Sequence, residues 1–183
     1  YKRQDPTGLH LHNSQWAATF VGFGSPASYW WWDIYVDPLN LWGHTKGLKA
    51  LLSGTNPAQM KPITITGITN TSTLLLQDDS YTLGWIRHND YDRSAKSRLL
   101  LAASIKALAT GKKPQTEFPV PKVKSTSVKI PISIPGQYKV EFLQTLSGKN
   151  LGNLKSTTSN GFLTIKIPSF TGDIAFRITR GDG

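Results

Sequence analysis

The apolar residues of this chain change their spacing at Pro62, and that change limits the folds open to it. Before Pro62 they recur every three or four residues, and this helical period predicts helices over residues 9–23 and 41–52. After Pro62 they alternate with polar residues, as they do in strands with one buried face. Turn signals separate the alternating runs, and Asn160-Gly161 is the strongest of them. The pattern therefore predicts an antiparallel meander that follows a helical N-terminal part.

An aromatic run lies between the two predicted helices. A short strand buried on both faces is predicted over residues 27–35, because its aromatic part, residues 29–35 (YWWWDIY), has apolar side chains at successive positions except Asp33. The order helix, strand, helix predicts a fragment of an α/β fold over residues 1–60. A further helix is predicted over residues 94–110, inside the β-structure.

Two sets of motifs resemble a known family. The pattern Gly8-x-x-x-His12-Asn13-x-x-Trp16-Ala17, followed by Trp30-Trp31-Trp32-Asp33, is similar to the last α/β unit of a (β/α)8-barrel glycoside hydrolase of the cellulase and mannanase superfamily. The run Gly136-x-Tyr138-x-Val140-Glu141 resembles the small β-sandwich that often follows such barrels. The fold class that this resemblance implies is α+β: the terminal α/β unit of a TIM-type barrel, then an antiparallel β-sandwich. Residues 1–60 would be the barrel unit, incomplete alone, and residues 61–183 the sandwich with the helix near 94–110 inserted.

The same resemblance implies an activity whose catalytic groups are not in this chain. Enzymes of that superfamily use two glutamates, one as acid and one as nucleophile. This chain contains only Glu117 and Glu141, in the linker and the sandwich, so no catalytic residue is assigned here. We expect a C-terminal portion or subunit of a glycoside hydrolase acting on a β-linked polysaccharide, with the glutamates upstream of Tyr1 or on a partner. The alternative is a non-catalytic carbohydrate-binding or cell-surface adhesion subunit, so whether the chain is an enzyme stays open.

Five residues are candidates for substrate binding. Trp31 and Trp32 lie near the end of the aromatic run, where each is either a platform for a sugar ring or a core residue. Asp33 follows the three tryptophans, where barrel enzymes place functional residues, and either bonds sugar hydroxyls or caps a turn. His12 and Asn13 are placed on the substrate side by the resemblance.

Neither a metal nor a cofactor is expected. His10 and His12, two residues apart, do not share a helix face, and a metal shared with His44 lacks a further ligand type nearby. Gly22-x-Gly24 lacks the third glycine and the preceding strand of a dinucleotide-binding loop.

Charge and composition limit which partners and which cellular location are expected for the chain. The net charge is +10, and all of the excess lies after residue 93, where fourteen Lys/Arg face four acids. The lysines are not interleaved with aromatic residues, so no specific nucleic acid is expected, and no apolar run is long enough for a transmembrane segment. The expected partners are a polysaccharide or oligosaccharide and a second polypeptide that supplies the rest of the barrel. The expected location is extracellular or at the cell surface.

Overall fold

A computed structural model describes residues 5–23, 26–27, 29–114, 118 and 120–181. The first helix, α1, spans Leu9–Ala18 and continues as a π-helical turn over Thr19–Phe23. A second π-helical turn spans Trp32–Val36, and a 3-10 turn over Leu41–His44 leads into α2, Thr45–Leu52. Another 3-10 turn covers Pro57–Gln59, and α3 spans Arg93–Ala109.

The strands of the described residues pair antiparallel throughout. They are β1 (Lys61–Ile65), β2 (Thr71–Gln77), β3 (Tyr81–His88), β4 (Lys122–Val123), β5 (Thr126–Pro131), β6 (Gln137–Leu143), β7 (Asn150–Ser159), β8 (Phe162–Ile167), β9 (Phe170–Thr171) and β10 (Asp173–Arg180). Eight of them form one sheet in the order β1-β2-β3-β10-β6-β7-β8-β5, and β4 pairs with β9 in a small ribbon. The last long strand, β10, therefore lies in the middle of the sheet between β3 and β6.

The sheet curls until its two ends approach each other. The side-chain amide of Gln77 on β2 donates a hydrogen bond to the carbonyl of Pro131 on β5, across 2.8 Å. Residues from both ends share one apolar core, in which Leu75, Ile130 and Phe176 are fully buried. The sheet is therefore close to a barrel around a single core.

Helices α1 and α2 cover the outer face of the central strands. Trp16 and Phe20 pack with Leu48 and Leu51 against Trp85 of β3 in a second core. Arg177 of β10 donates hydrogen bonds to the carbonyls of residues 50, 51 and 53 at the end of α2. Those carbonyls have no partner inside the helix, so the arginine both caps α2 and fastens it to the sheet.

Helix α3 stands apart from both cores. It begins at Asp92, whose carboxylate accepts hydrogen bonds from the backbone N–H groups of Ser94 and Ala95. Ala95 is its one buried residue, while Leu101 and Leu108 are largely exposed. No helix in the described part of the chain is long and apolar enough to cross a membrane.

The expected fold class is wrong. The described residues contain no parallel strand pair, and the long strands form a single curled sheet rather than the two layers of a sandwich. The aromatic run is a turn and a π-helical turn, not a strand of a TIM-type barrel. A strand buried on both faces needs strands on either side, and every described strand begins at Lys61 or later.

The helices predicted over residues 9–23 and 94–110 are present. In the first of them, the buried apolar face ends before residue 23. Leu9, Trp16 and Phe20 share the buried face as the period predicts, but Phe23 is 77% exposed. The π-helical turn changes the rotation per residue, and Gly22 at φ 92° ends the helical path. The apolar face therefore stops one turn early.

Candidate functional site

A cavity of about 470 Å³ opens between α1, the aromatic run and the start of α2. Leu11 and Gln15 line it from α1, Trp32 from the second π-helical turn and Trp42 from the 3-10 turn before α2. The remaining described lining residues are Pro26, Ala27, Tyr29, Val36, Leu41 and Thr45. None of these described residues is charged. We refer to this space as the aromatic cavity.

The rings around the aromatic cavity are open to solvent. Trp32 is 56% exposed and Trp42 is 48% exposed. The indole N–H of Trp42 donates to the Asp37 carboxylate across 2.9 Å, which holds that ring in one orientation. Both indoles therefore present apolar surface at the cavity.

The buried carboxylate of Asp5 connects the aromatic run to α1. Its carboxylate accepts hydrogen bonds from the backbone N–H groups of Leu9 and His10 at the start of α1, and from the hydroxyl of Tyr35 at 2.7 Å. Burial, and then the bond to Asp5, raise the pKa of Tyr35 well above its usual range. Tyr35 therefore stays protonated and acts as a donor that ties the aromatic run to α1.

The five sequence-predicted substrate residues separate into two groups. Trp32 lines the cavity, and Trp31 precedes it at 42% exposed. Asp33 is exposed in the π-helical turn that begins at Trp32. It is not among the described residues that line the cavity. His12 and Asn13 are buried and point towards the sheet, so the structure does not bring them together with Trp31 and Trp32.

His12 belongs to a buried polar cluster around Asp173. Its Nε2 atom lies 2.9 Å from Asp173 Oδ2, which also accepts from the indole N–H of Trp85 at 2.8 Å. Thr145 donates its hydroxyl to the other carboxylate oxygen at 2.7 Å. Because the carboxylate joins α1, β3, β10 and the turn after β6, we read the cluster as a structural joint.

Two residues beside this cluster, Tyr91 and His44, have pKa values shifted by burial and by nearby charge. Burial, and then Asp173, raise the pKa of Tyr91 to about 12. Burial, and then the nearby His12 ring, lower the pKa of His44. Within the described residues no group of three or more His, Asp or Glu side chains is arranged to hold a metal ion.

Glu141, one of the two glutamates of the chain, is not among the described residues that line the cavity. It lies on β6 and forms an ion pair with Lys139 at 2.8 Å. Glu117 lies outside the described residues. No carboxylate is found among the described residues that line the aromatic cavity.

Gln15 is a cavity residue that the sequence reasoning missed. It is 7% exposed, and its side-chain oxygen accepts no hydrogen bond from the described residues. The available signal was its position, four residues after Leu11 on the same face of α1. A polar residue on that face is unusual, but the helical period alone does not say what the face meets.

Comparison with known proteins adds little to this geometry. No family model and no curated protein matches the chain. Among solved structures, it is similar to alpha-L-fucosidase isoenzyme 2 from Paenibacillus thiaminolyticus, at 11% sequence identity and a TM-score of 0.39. The match covers 74% of this chain and 17% of the fucosidase chain. A likeness this distant carries no argument about fold or function.

Proposed function

We propose that this chain binds carbohydrate in the aromatic cavity and belongs to a glycoside hydrolase that acts on a β-linked polysaccharide. In this proposal it is a C-terminal portion or subunit, and the catalytic glutamates lie on another segment or polypeptide. The observation that carries the proposal is the pair of exposed indoles, Trp32 and Trp42, on one cavity. Such a role belongs outside the cell or at its surface, where polysaccharides are found.

The chemistry of the cavity suits a sugar ring. A pyranose has an apolar C–H face and a rim of hydroxyls, and the face of an indole packs well against C–H groups. The cavity volume of about 470 Å³ lies within the usual range of roughly 300–1,000 Å³ for small-molecule sites. Such sites combine apolar walls with a few polar groups, as this one does with Gln15, Tyr29 and Thr45.

The same cavity does not support hydrolysis by itself. Glycoside hydrolysis needs two carboxyl groups about 5–5.5 Å apart in retaining enzymes and roughly 6.5–9.5 Å apart in inverting ones. The described lining residues supply neither group. We therefore assign binding to this chain and the cleavage step to acids outside it.

Titration calorimetry with the full chain tests the binding step. The probes are β-linked hexasaccharides of glucose, mannose and xylose. We expect one of them to bind, and we expect Trp32→Ala or Trp42→Ala to weaken its Kd about tenfold or more, equivalent to about 1.4 kcal/mol. Phe162→Ala is the matched control, because Phe162 is an exposed aromatic residue on β8. Equal affinity in all four proteins, or no binding of any hexasaccharide, would contradict the proposal.

A second role is favoured by aromatic and aliphatic residues that lie outside the cavity lining. Phe23, Trp30 and Ile34 are all more than half exposed, and Trp30 reaches 90%. Large exposed apolar patches mark protein–protein contacts, and these three side chains are candidates for such a patch. We propose that they contact the polypeptide that carries the glutamates, or a cell-surface partner if the chain is an adhesion subunit. In sedimentation experiments on a mixture of the chain with the glutamate-carrying polypeptide, we expect a complex that Trp30→Ser and Phe23→Ser abolish; a complex that both variants leave intact would contradict an interface there.

A further inference from the structure

Helix α3 exposes a row of aliphatic side chains to solvent. Leu101, Ile105 and Leu108 are 63%, 59% and 69% exposed. They are four and three residues apart, so they lie on one face of the helix over successive turns. Leu99 is also exposed, away from this face. No helix or strand of the described residues packs extensively along α3, so these three side chains, which we call the α3 apolar row, are open along their length.

A cation lies at the N-terminal end of the α3 apolar row. Arg98 precedes Leu101 by three residues, which places it on the same face of the helix. Its side chain is 71% exposed, and one guanidinium nitrogen lies 3.8 Å from a carboxylate oxygen of Asp90. An exposed ion pair of this kind contributes little free energy, so the arginine can exchange this partner for another anion.

Two further cations follow the C-terminal end of the row. Lys112 and Lys113 are exposed directly after the helix. Gly111, at φ 67°, turns the chain back, and the backbone N–H of Lys112 then donates to the carbonyl of Ala107 across 2.8 Å. The lysines are therefore held beside the last turn of α3, next to the aliphatic side chains.

A partner for this face must accept aliphatic side chains and pair with cations at the same time. Residues 93–114 contain six Lys or Arg and no Asp or Glu, so the partner's charge is negative. A nucleic acid would pair with the cations but leave the aliphatic row in water, and α3 has no aromatic residue on which a base could stack. The surface of a bilayer with anionic lipids offers both an apolar layer and negative headgroups.

We propose that α3 docks on the surface of a lipid bilayer that contains anionic lipids. The α3 apolar row enters the boundary between headgroups and acyl chains, while Arg98, Lys112 and Lys113 pair with lipid phosphates. This interaction goes beyond carbohydrate binding. Helix α3 contributes no described residue to the lining of the aromatic cavity, so the two proposals succeed or fail separately.

Co-sedimentation of the full chain with lipid vesicles tests the docking. The vesicles contain phosphatidylcholine alone, or phosphatidylcholine mixed with phosphatidylglycerol. We expect binding to the mixed vesicles only, and we expect Leu101→Ser to weaken it about tenfold, because less aliphatic surface leaves water on docking. Leu151→Ser is the matched control, since Leu151 is a half-exposed leucine on β7. Circular dichroism and the urea midpoint show that both variants are folded.

A second variant separates insertion of the row from attraction by charge. Ile105→Lys raises the net charge of the chain by one, so attraction by charge alone would strengthen binding to the mixed vesicles. Insertion of the α3 apolar row predicts the opposite result, about tenfold weaker binding, because a charged group replaces an aliphatic one in the middle of the row.

The lysines after α3 test the electrostatic part. We expect the double variant Lys112→Ser, Lys113→Ser to bind the mixed vesicles about tenfold more weakly or worse. The double variant Lys129→Ser, Lys166→Ser removes the same charge from exposed positions on β5 and β8 and should have a smaller effect. Raising the salt from about 0.1 M to about 1 M, which shortens the Debye length from about 10 Å to about 3 Å, should weaken the wild type.

The outcomes decide between this docking and its alternatives. The absence of binding to the mixed vesicles, equal binding of Leu101→Ser and Leu151→Ser, or stronger binding of Ile105→Lys would each overturn it. A dimer that Ile105→Lys dissociates, without any vesicle binding, would assign the row to a second copy of the chain instead. Loss of vesicle binding in Leu101→Ser with unchanged saccharide affinity would support the docking whatever the fate of the proposed function.

Discussion

His12 and Asp173 are 161 residues apart in sequence, and their side chains meet at 2.9 Å in the interior. Asp173 receives two further hydrogen bonds, from Trp85 and Thr145, so four elements converge on one carboxylate. The N-terminal helix is thereby joined to the last strand of the sheet. This contact, together with the packing of Trp16 and Phe20, holds α1, which lines one part of the aromatic cavity.

Replacing Asp173 tests that dependence. We expect Asp173→Ala to lower the free energy of unfolding by about 3–5 kcal/mol, because it leaves three buried groups without their acceptor. Urea unfolding followed by circular dichroism measures the change. Asp79→Ala is the control, since Asp79 is exposed in the turn between β2 and β3. A loss no larger than that of the control would contradict the role given to Asp173.

The stability of the fold is expected to fall in mild acid because of His44. Burial, and then the neighbouring His12, hold the pKa of His44 below its ordinary value of 6.5. At a pH between the folded-state pKa and 6.5, His44 binds more protons in the unfolded chain than in the folded one. The free energy of unfolding therefore decreases as the pH falls through this range. The loss begins as the pH falls through 6.5 and is complete below the folded-state pKa. Above 6.5 His44 is neutral in both states, so its contribution is constant.

Urea midpoints at pH 7.5, 6.5 and 5.5 measure this trend. We expect His44→Gln to have a smaller change across the range than the wild type. His10→Gln shows whether the loss of any histidine has the same effect. An unchanged slope in His44→Gln would assign the acid sensitivity to another group.

Gly47 is expected to be intolerant of any side chain. It lies in α2, where a Cβ atom would overlap the carbonyl oxygen of Thr145 in the turn after β6. We expect Gly47→Ala to cost about 1–3 kcal/mol, as overpacking does. Gly43→Ala is the matched control, because a Cβ there meets no atom within 4 Å. The control should be neutral or slightly stabilising, and equal effects of both changes would refute the close approach of α2 to this turn.

Fluorescence quenching tests the exposure of the indoles and their contact with sugar. Trp16 and Trp85 are buried, whereas Trp32 and Trp42 are about half exposed beside the cavity. We expect acrylamide to quench the exposed group and leave the buried pair emitting, and a bound saccharide to protect Trp32 and Trp42. The protection should shrink in Trp32→Phe and persist in Trp30→Phe, because Trp30 is not among the described lining residues. Equal protection in both variants would place the sugar elsewhere.

Local order was predictable from the sequence where one face of an element is apolar. The alternation of β5 and β8 predicts their buried faces, and the period of α1 predicts that Leu9, Trp16 and Phe20 face inward. The insertion of β10 between β3 and β6 was not predictable, because spacing along the chain says nothing about pairing between distant strands.

The aromatic run misled the prediction for a related reason. Three successive tryptophans are consistent with a strand buried on both faces and equally with a surface loop that meets another molecule. The difference depends on the presence of flanking strands, and the described chain has none before Lys61. The burial of Gln15 was not predictable either, because only the three-dimensional neighbours show that its side-chain oxygen has no donor.

The loose attachment of α3 has a consequence for how the chain can be divided. A cut within α3 leaves β1 to β3 on one fragment and β4 to β10 on the other. The two would remain in contact through the β3–β10 ladder, which pairs residues 173–179 with residues 81–87 inside the sheet. Since Ala95 is the one buried side chain of α3, the cut removes little of the packing. Helix α3 is therefore a natural split site, at which two separately made fragments should recombine into the native sheet.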